Sequence, residues 1–353
     1  MKKSRWLQAL AILLGGLALI WFISQAEWGA VLDAFQTLGW QVVWLLFPFL
    51  LVYFFDTLGW YVTLTQSIRK QVSFLSSIWI RWGGEAVNSF LPTAYIGGEA
   101  VKVLLIQRRG GDAGEATTAA IISKTTQTIA EVLFIAWTSY LARSYLPVDS
   151  PLRSAMWWVS GLAALVGLAL FGAQFLGLLS RCVRLARRWV NVGKASVFVR
   201  DKVLDRLENL DKRLGEFYRG RRLDTWKSIA AFFAGWMAGS LEILLMATLL
   251  EVDISLSQAL TLEAFIGVAK GLGIFVPGAI GVQESGIIFL VKALGFPEPF
   301  GSIYAVARRA REIIYACFGM LILSWLPRSL FGKAGTMSMT KIESASFKTD
   351  EGQ

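Results

Sequence analysis

Long apolar runs alternate with short polar breaks along the whole chain. Six runs reach the length of a membrane-crossing helix: 7–24, 42–64, 117–141, 155–179, 229–250 and 302–326. A helix needs about 20 residues to cross a hydrocarbon core of ~30 Å. Two further apolar regions are too broken to cross. The stretch 75–106 is interrupted by Gly83, Gly84, Pro92, Gly97 and Gly98, which leaves arms of about 14 residues, or about 20 Å of helix. The stretch 259–294 is interrupted by Pro277, Gly278 and Gly281. Each predicts a re-entrant hairpin, because non-helical backbone at membrane depth survives only when buried in protein or lining a wet cavity. The pattern predicts an all-α polytopic membrane protein with about six full transmembrane helices plus two re-entrant hairpins in inverted-repeat arrangement.

The two broken regions carry one short pattern, 185 positions apart. The first copy is Phe90-Leu91-Pro92-Thr93-Ala94-Tyr95-Ile96-Gly97-Gly98-Glu99 and the second is Phe275-Val276-Pro277-Gly278-Ala279-Ile280-Gly281-Val282-Gln283-Glu284. Both read Phe-x-Pro-x-Ala-x4-Glu. A basic residue follows each proline by 32 positions, Lys124 in the first copy and Arg309 in the second. Repeated, broken hydrophobic segments mark the pathway in many transporters.

Composition agrees with the membrane reading and removes several chemistries. Of 353 residues, 55% are hydrophobic and 17% charged, against about 25% charged in soluble domains. The mean hydropathy is +0.53. Fifteen tryptophans suit interfacial aromatic belts as well as packing. The absence of histidine takes away the commonest general base and metal ligand. Cys182 and Cys317 lie too far apart for a CxxC site, so neither a metal centre nor a disulfide framework is expected. No Walker A, HExxH or GxSxG motif occurs, and Gly267-x-x-x-Gly271-x-Gly273 suits close helix packing rather than a dinucleotide. Neither a cofactor nor a nucleic-acid partner is expected, and the chain is read as a non-enzyme.

Lysine and arginine set the sidedness. The N-terminus carries Lys2, Lys3 and Arg5; Arg69-Lys70 precede the first hairpin and Arg108-Arg109 follow it; and the segment 180–227 holds 14 Lys/Arg against 6 Asp/Glu. The opposite loops 24–41, 251–258 and 295–301 hold none, and 142–154 holds only Arg143 and Arg153. Both termini are therefore expected in the cytoplasm, with a retained first helix rather than a cleaved signal peptide. The first hairpin then starts and ends on the cytoplasmic side and the second on the outer side. That is inverted-topology symmetry, with a first half at 1–154 and a second at 155–330 making one membrane domain, 1–330. Within 180–227, Val203, Leu207, Leu210, Leu214 and Phe217 form an amphipathic stripe. It is expected to pack on the cytoplasmic face of its own protein, with anionic lipid headgroups or a coiled-coil partner as alternatives. The polar tail 331–353 is expected to be disordered.

The membrane segments hold many ionisable residues, including Asp56, Arg81, Glu85, Glu131, Glu242, Glu263, Lys270 and Glu312. Each costs at least about 2.5–3.5 kcal/mol at the bilayer centre, so those kept face a cavity or one another. Internal pairs such as Arg308 with Glu312, spaced i, i+4, are the structural alternative to a binding role.

Pro92-x-x-x-x-Gly97-Gly98-Glu99-Ala100-x-Lys102 resembles the Gly-Gly-Glu-x-x-basic signature of the lysylphosphatidylglycerol synthase transmembrane, or flippase-like, family. Pro277-Gly278-x-x-Gly281-Val282-Gln283-Glu284 resembles its second signature, Pro-Gly-Gly-x-Gly-x-x-Glu, and the arginine that follows matches Arg309 or Arg308. The family includes the membrane domain of the multiple peptide resistance factor, which moves lysyl-phosphatidylglycerol between leaflets, and members associated with hopanoid or glycolipid pathways. Lys102 stands where the family often has Arg, Lys124 where it often has Glu-Arg, and Ala279 replaces a glycine. The two-domain relatives' soluble aminoacyl-transfer domain has no counterpart in this sequence.

The resemblance implies a bacterial cytoplasmic (inner) membrane protein that translocates a phospholipid or related lipid. Lys102, Lys124, Arg308, Arg309 and Arg311 would hold an anionic headgroup. Glu85, Glu99 and Glu284 would hold a cationic or hydroxylated portion, or order the arginines. Pro92, Gly97, Gly98, Pro277, Gly278 and Gly281 would shape the hairpins. A membrane-bound enzyme or accessory subunit in lipid, hopanoid or glycolipid synthesis is the competing reading, and a scaffold acting through 180–227 a third. A homo-oligomer is possible on the same resemblance.

Overall fold

The protein is an all-α polytopic membrane protein. The computed structural model describes residues 20, 22–24, 26–90, 96–176, 197–273 and 276–325, without the side chains of 197–206, Pro277 and Trp325. Nearly all of the expected first helix at 7–24, residues 91–95 with Pro92, residues 180–196 and the tail lie outside the described residues. Among the described residues there is no strand.

Twelve α-helices are described: α1 (Trp28–Leu38), α2 (Leu46–Thr63), α3 (Gln66–Gln71), α4 (Phe74–Phe90), α5 (Ile96–Arg108), α6 (Ala113–Leu141), α7 (Pro151–Phe175), α8 (Val197–Gly220), α9 (Arg222–Leu249), α10 (Leu256–Leu272), α11 (Val282–Ala293) and α12 (Glu298–Trp325). Starts follow local chemistry. Asp112 accepts the Glu115 N–H at 2.8 Å ahead of α6, Pro151 opens α7, and Ser255 and Gln258 cap each other at the start of α10.

Among the described residues, four units are long and apolar enough to cross a membrane: Trp28–Thr63, Ala113–Ser144, Pro151–Phe175 and Arg222–Leu249. They cover the expected runs at 42–64, 117–141, 155–179 and 229–250. The first begins earlier than expected, because α1 and a 3-10 segment, Gly39–Leu45, extend it through the loop read at 24–41. The expected run at 302–326 is the 28-residue α12, long enough but laden with Arg308, Arg309, Arg311 and Glu312. The broken regions are pairs of shorter helices, of 17 and 13 residues in α4–α5 and 17 and 12 in α10–α11. At 1.5 Å per residue none reaches ~30 Å.

The short repeat belongs to a longer one. Shifted by 185 positions, α2 becomes 231–248, α4 becomes 259–275, α5 becomes 281–293 and α6 becomes 298–326. These fall on α9, α10, α11 and α12 in order. Contacts repeat as well. α4 packs on α5 as α10 packs on α11, and α5 on α6 as α11 on α12. Across the halves α2 packs on α9, and α4 packs on α12 as α10 packs on α6.

α8 lies against α6 and α7. Leu214, Phe217 and Tyr218 are buried against Ile122, with Leu210 and Phe171 at the edge, and Arg213 reaches Asp112 at 3.0 Å. The C-terminal part of the amphipathic stripe thus packs on its own protein.

Candidate functional site

The two patterned glutamates occupy equivalent places. Glu99, in the first turn of α5, lies 2.7 Å from Lys102 and 3.3 Å from Lys124 on α6. Glu284, in the first turn of α11, is paired with Arg309 on α12. Lys124 and Arg309 each follow their glutamate by 25 positions, so one contact is made twice. The next turn repeats it: Lys124 donates to the Gln127 carbonyl at 3.1 Å, and Arg309 lies 3.0 Å from Glu312. Gln127 and Glu312 are also 185 apart. Gln127 is neutral and so does not stand out among the intramembrane charges; the repeat spacing is what marks it.

The second copy adds a shaped turn. Gly278 (φ +57°), Ala279 (φ +51°) and Gly281 (φ +84°) are all left-handed. Arg309 donates to the Gly278 carbonyl at 3.1 Å, and the Gly281 N–H donates to Glu284 at 2.7 Å. One Glu284 oxygen thus caps α11 while the other takes Arg309. Ala279 stands where the family signature has glycine, and its Cβ costs roughly 1–2 kcal/mol in this conformation. Ala279→Gly is expected to raise the thermal midpoint in detergent by a few degrees without altering Glu284; an unchanged or lower midpoint would mean that the methyl's packing outweighs the strain.

The first hairpin is held by close backbone approach. The Gly98 N–H donates to Asn88 Oδ1 at 2.7 Å, and a Cβ on Gly98 would lie 2.3 Å from the Gly84 carbonyl oxygen. The two hairpin ends meet, since a Cβ on Gly278 would lie 3.4 Å from the Ser89 carbonyl oxygen.

Glu85 belongs to a third group of charges, with Arg81 and Asp56. Arg81 lies 3.5 Å from it and 2.6 Å from Asp56. Lys124, Lys102 and Lys270 are also within electrostatic reach of Glu85. Lys270 in turn donates to Glu312 at 3.0 Å, and Gln283 does so at 3.2 Å. Lys270 occupies the place in α10 that Glu85 occupies in α4. Lys102 is 3% exposed, over the Trp60 ring, while Lys124 and Lys270 are 37% and 35% exposed. The network therefore opens outward through its lysines. Asp56, Glu85, Glu99, Glu284 and Glu312 balance Arg81, Lys102, Lys124, Lys270 and Arg309.

Two expected anion ligands are committed elsewhere. Arg308 makes a two-pronged contact with Glu263 at 2.6 and 3.0 Å and also donates to the Tyr304 hydroxyl. Arg311 grips Glu242 at 3.0 and 2.9 Å, with both side chains 1% exposed. The i, i+4 pairing of Arg308 with Glu312 is replaced by Arg308–Glu263 and Arg309–Glu312, because α10 brings a carboxylate across to Arg308. Gly97 sits in the first turn of α5, and Pro92 lies outside the described residues. No group of three or more metal-ligating side chains occurs among the described residues.

A family model described as "Lysylphosphatidylglycerol synthase TM region" matches residues 8–319. No curated protein and no solved structure gives a match.

Proposed function

Since this chain belongs to the lysylphosphatidylglycerol synthase TM region family, we propose that it is a lipid translocator in which a polar headgroup crosses between the two hairpins. The observation that carries this reading is the duplicated glutamate–cation pair at the start of α5 and of α11, with Lys124 and Lys270 partly exposed beside it. A phosphate approaching Lys124 or Arg309 would replace a carboxylate there. The freed glutamate would accept the headgroup's ammonium or hydroxyl, or the neighbouring lysine. Arginine at 309 suits bidentate phosphate binding, and Lys124 acts as a point charge.

The hairpins are re-entrant and inverted in this reading, the first entering from the cytoplasm and the second from outside. The charge bias of the loops supports that orientation, as does the failure of all four arms to reach membrane thickness. Alternating exposure of the two hairpin ends would move the headgroup while the acyl chains stay in lipid. Both termini are cytoplasmic in the same reading, within a bacterial inner membrane.

The test is movement of a fluorescent phospholipid in vesicles containing the purified protein. Glu284→Gln and Glu99→Gln are each expected to slow movement at least tenfold in protein that still folds, with a lowered thermal midpoint, because each strips a counter-charge from Arg309 or from the buried Lys102. Wild-type rates in both variants would remove the repeat from the pathway. Product formed from a lipid substrate without leaflet exchange would favour the enzyme instead.

A further inference from the structure

One intramembrane carboxylate stands outside both the network and the Arg308–Glu263 and Arg311–Glu242 pairs. Glu131 lies on α6 two turns beyond Lys124, half-buried, and 3.7 Å from where a Cβ on Gly267 of α10 would stand. Among the described residues no hydrogen bond or ion pair involves it. The intramembrane cations on the elements around it are engaged. On its own helix Lys124 is held by Glu99 and Gln127. On α10, Lys270 is held by Glu312, and Glu263 holds Arg308.

On the other neighbours of α6 the intramembrane charges are paired with one another, and Arg222 and Lys227 lie in the first two turns of α9. On α9, Glu242 holds Arg311; on α2, Asp56 holds Arg81; on α5, Lys102 is held by Glu99. α7 carries no charged residue after Arg153, and Arg213 of α8 meets Asp112, ahead of the opposite end of α6. Shifted by 185, Glu131 corresponds to Ala316, so this acid belongs to one half alone. It sits where α6 of the first quartet packs on α10 of the second.

A carboxylate without a cation is far costlier charged than neutral once water is excluded. A dry seam between α6 and α10 therefore suits the neutral acid, and a wet one suits the anion. We propose that Glu131 is a proton-binding site that couples a proton gradient to the direction of lipid movement. It takes a proton from the water on one face of the membrane, holds it while the α6–α10 seam is closed, and releases it to the other face when the seam opens there. This rests on the translocator reading, and it supplies that reading with an energy source.

Two readouts test it. The first does not need lipid movement: dicyclohexylcarbodiimide reacts with protonated carboxyls in apolar surroundings, and peptide mass spectrometry locates the adduct. Labelling is expected at Glu131, not at the ion-paired Glu99 or Glu284, and should fall as pH is raised. The second is movement of fluorescent phosphatidylglycerol in vesicles with imposed pH gradients of either sign. Wild-type protein should show a several-fold difference between the two signs. Glu131→Gln, a neutral isostere of the protonated acid, and Glu131→Ala should abolish that difference and keep the rate seen without a gradient. No adduct at Glu131 at any pH, or a gradient response that survives in Glu131→Gln, overturns the proposal. If no protein moves lipid, the translocator reading fails, while the labelling still decides whether Glu131 binds a proton.

Discussion

Arg311→Met is expected to cost about 3–5 kcal/mol, because it leaves the Glu242 carboxylate buried without its cation. Arg311 and Glu242 are each 1% exposed, and the guanidinium carbon lies 3.6 Å from the centre of the Phe49 ring, so neither water nor a second cation reaches the acid. Native stabilities of about 5–15 kcal/mol make this a large share of the total. The readout is the unfolding midpoint in detergent, followed by tryptophan emission. Arg311→Met with Glu242→Gln should recover much of the loss, since an apolar–amide pair strands no charge. Arg311→Lys should fall between, keeping the charge but losing the two-pronged geometry. A small effect of Arg311→Met on stability, with lipid movement abolished, would instead place Arg311 in the headgroup path.

This outcome bears on what could be read from the chain alone. The apolar runs and their breaks were legible because membrane thickness and the cost of bare backbone constrain them directly. The repeat at Glu99 and Glu284 was legible because both copies kept the same spacing to Lys124 and Arg309. The fates of Arg308, Arg309 and Arg311 were not. Successive residues on a helix point about 100° apart, so three neighbours on α12 face three different elements. Arg308 meets Glu263 on α10, Arg309 meets Glu284 on α11, and Arg311 meets Glu242 on α9. Those partners lie 25 to 69 positions away, and only the packing of α12 selects among them. The same holds for α8: the periodicity of its stripe marked a buried face, but not that Ile122 and Phe171 would cover it.

Gly98→Ala is expected to open the first hairpin. The new methyl would lie 2.3 Å from the Gly84 carbonyl oxygen and 2.5 Å from Asn88 Nδ2, closer than any relaxed contact. Overpacking of this kind costs about 1–3 kcal/mol when neighbours can shift. Here one neighbour is backbone, so the cost should sit at the upper end. Moving α5 away from α4 also breaks the Asn88 bond to the Gly98 N–H and displaces the adjacent Glu99. Lipid movement should therefore fall together with the thermal midpoint, through displacement of Glu99 rather than loss of its charge. Gly161→Ala is the control, since a Cβ there meets nothing within 4 Å. The second hairpin makes its close approach in a different register: Ala269, the counterpart of Gly84, faces Gly286, where a Cβ would lie 2.5 Å from the Ala269 methyl. Gly286→Ala should be milder than Gly98→Ala, because a methyl at the edge of a helix yields more readily than a carbonyl in its ladder. Equal losses in the two variants would show that the hairpins are held by the same force despite the shifted register. No loss in Gly98→Ala would mean that the close approach of α4 and α5 does not hold Glu99 in place.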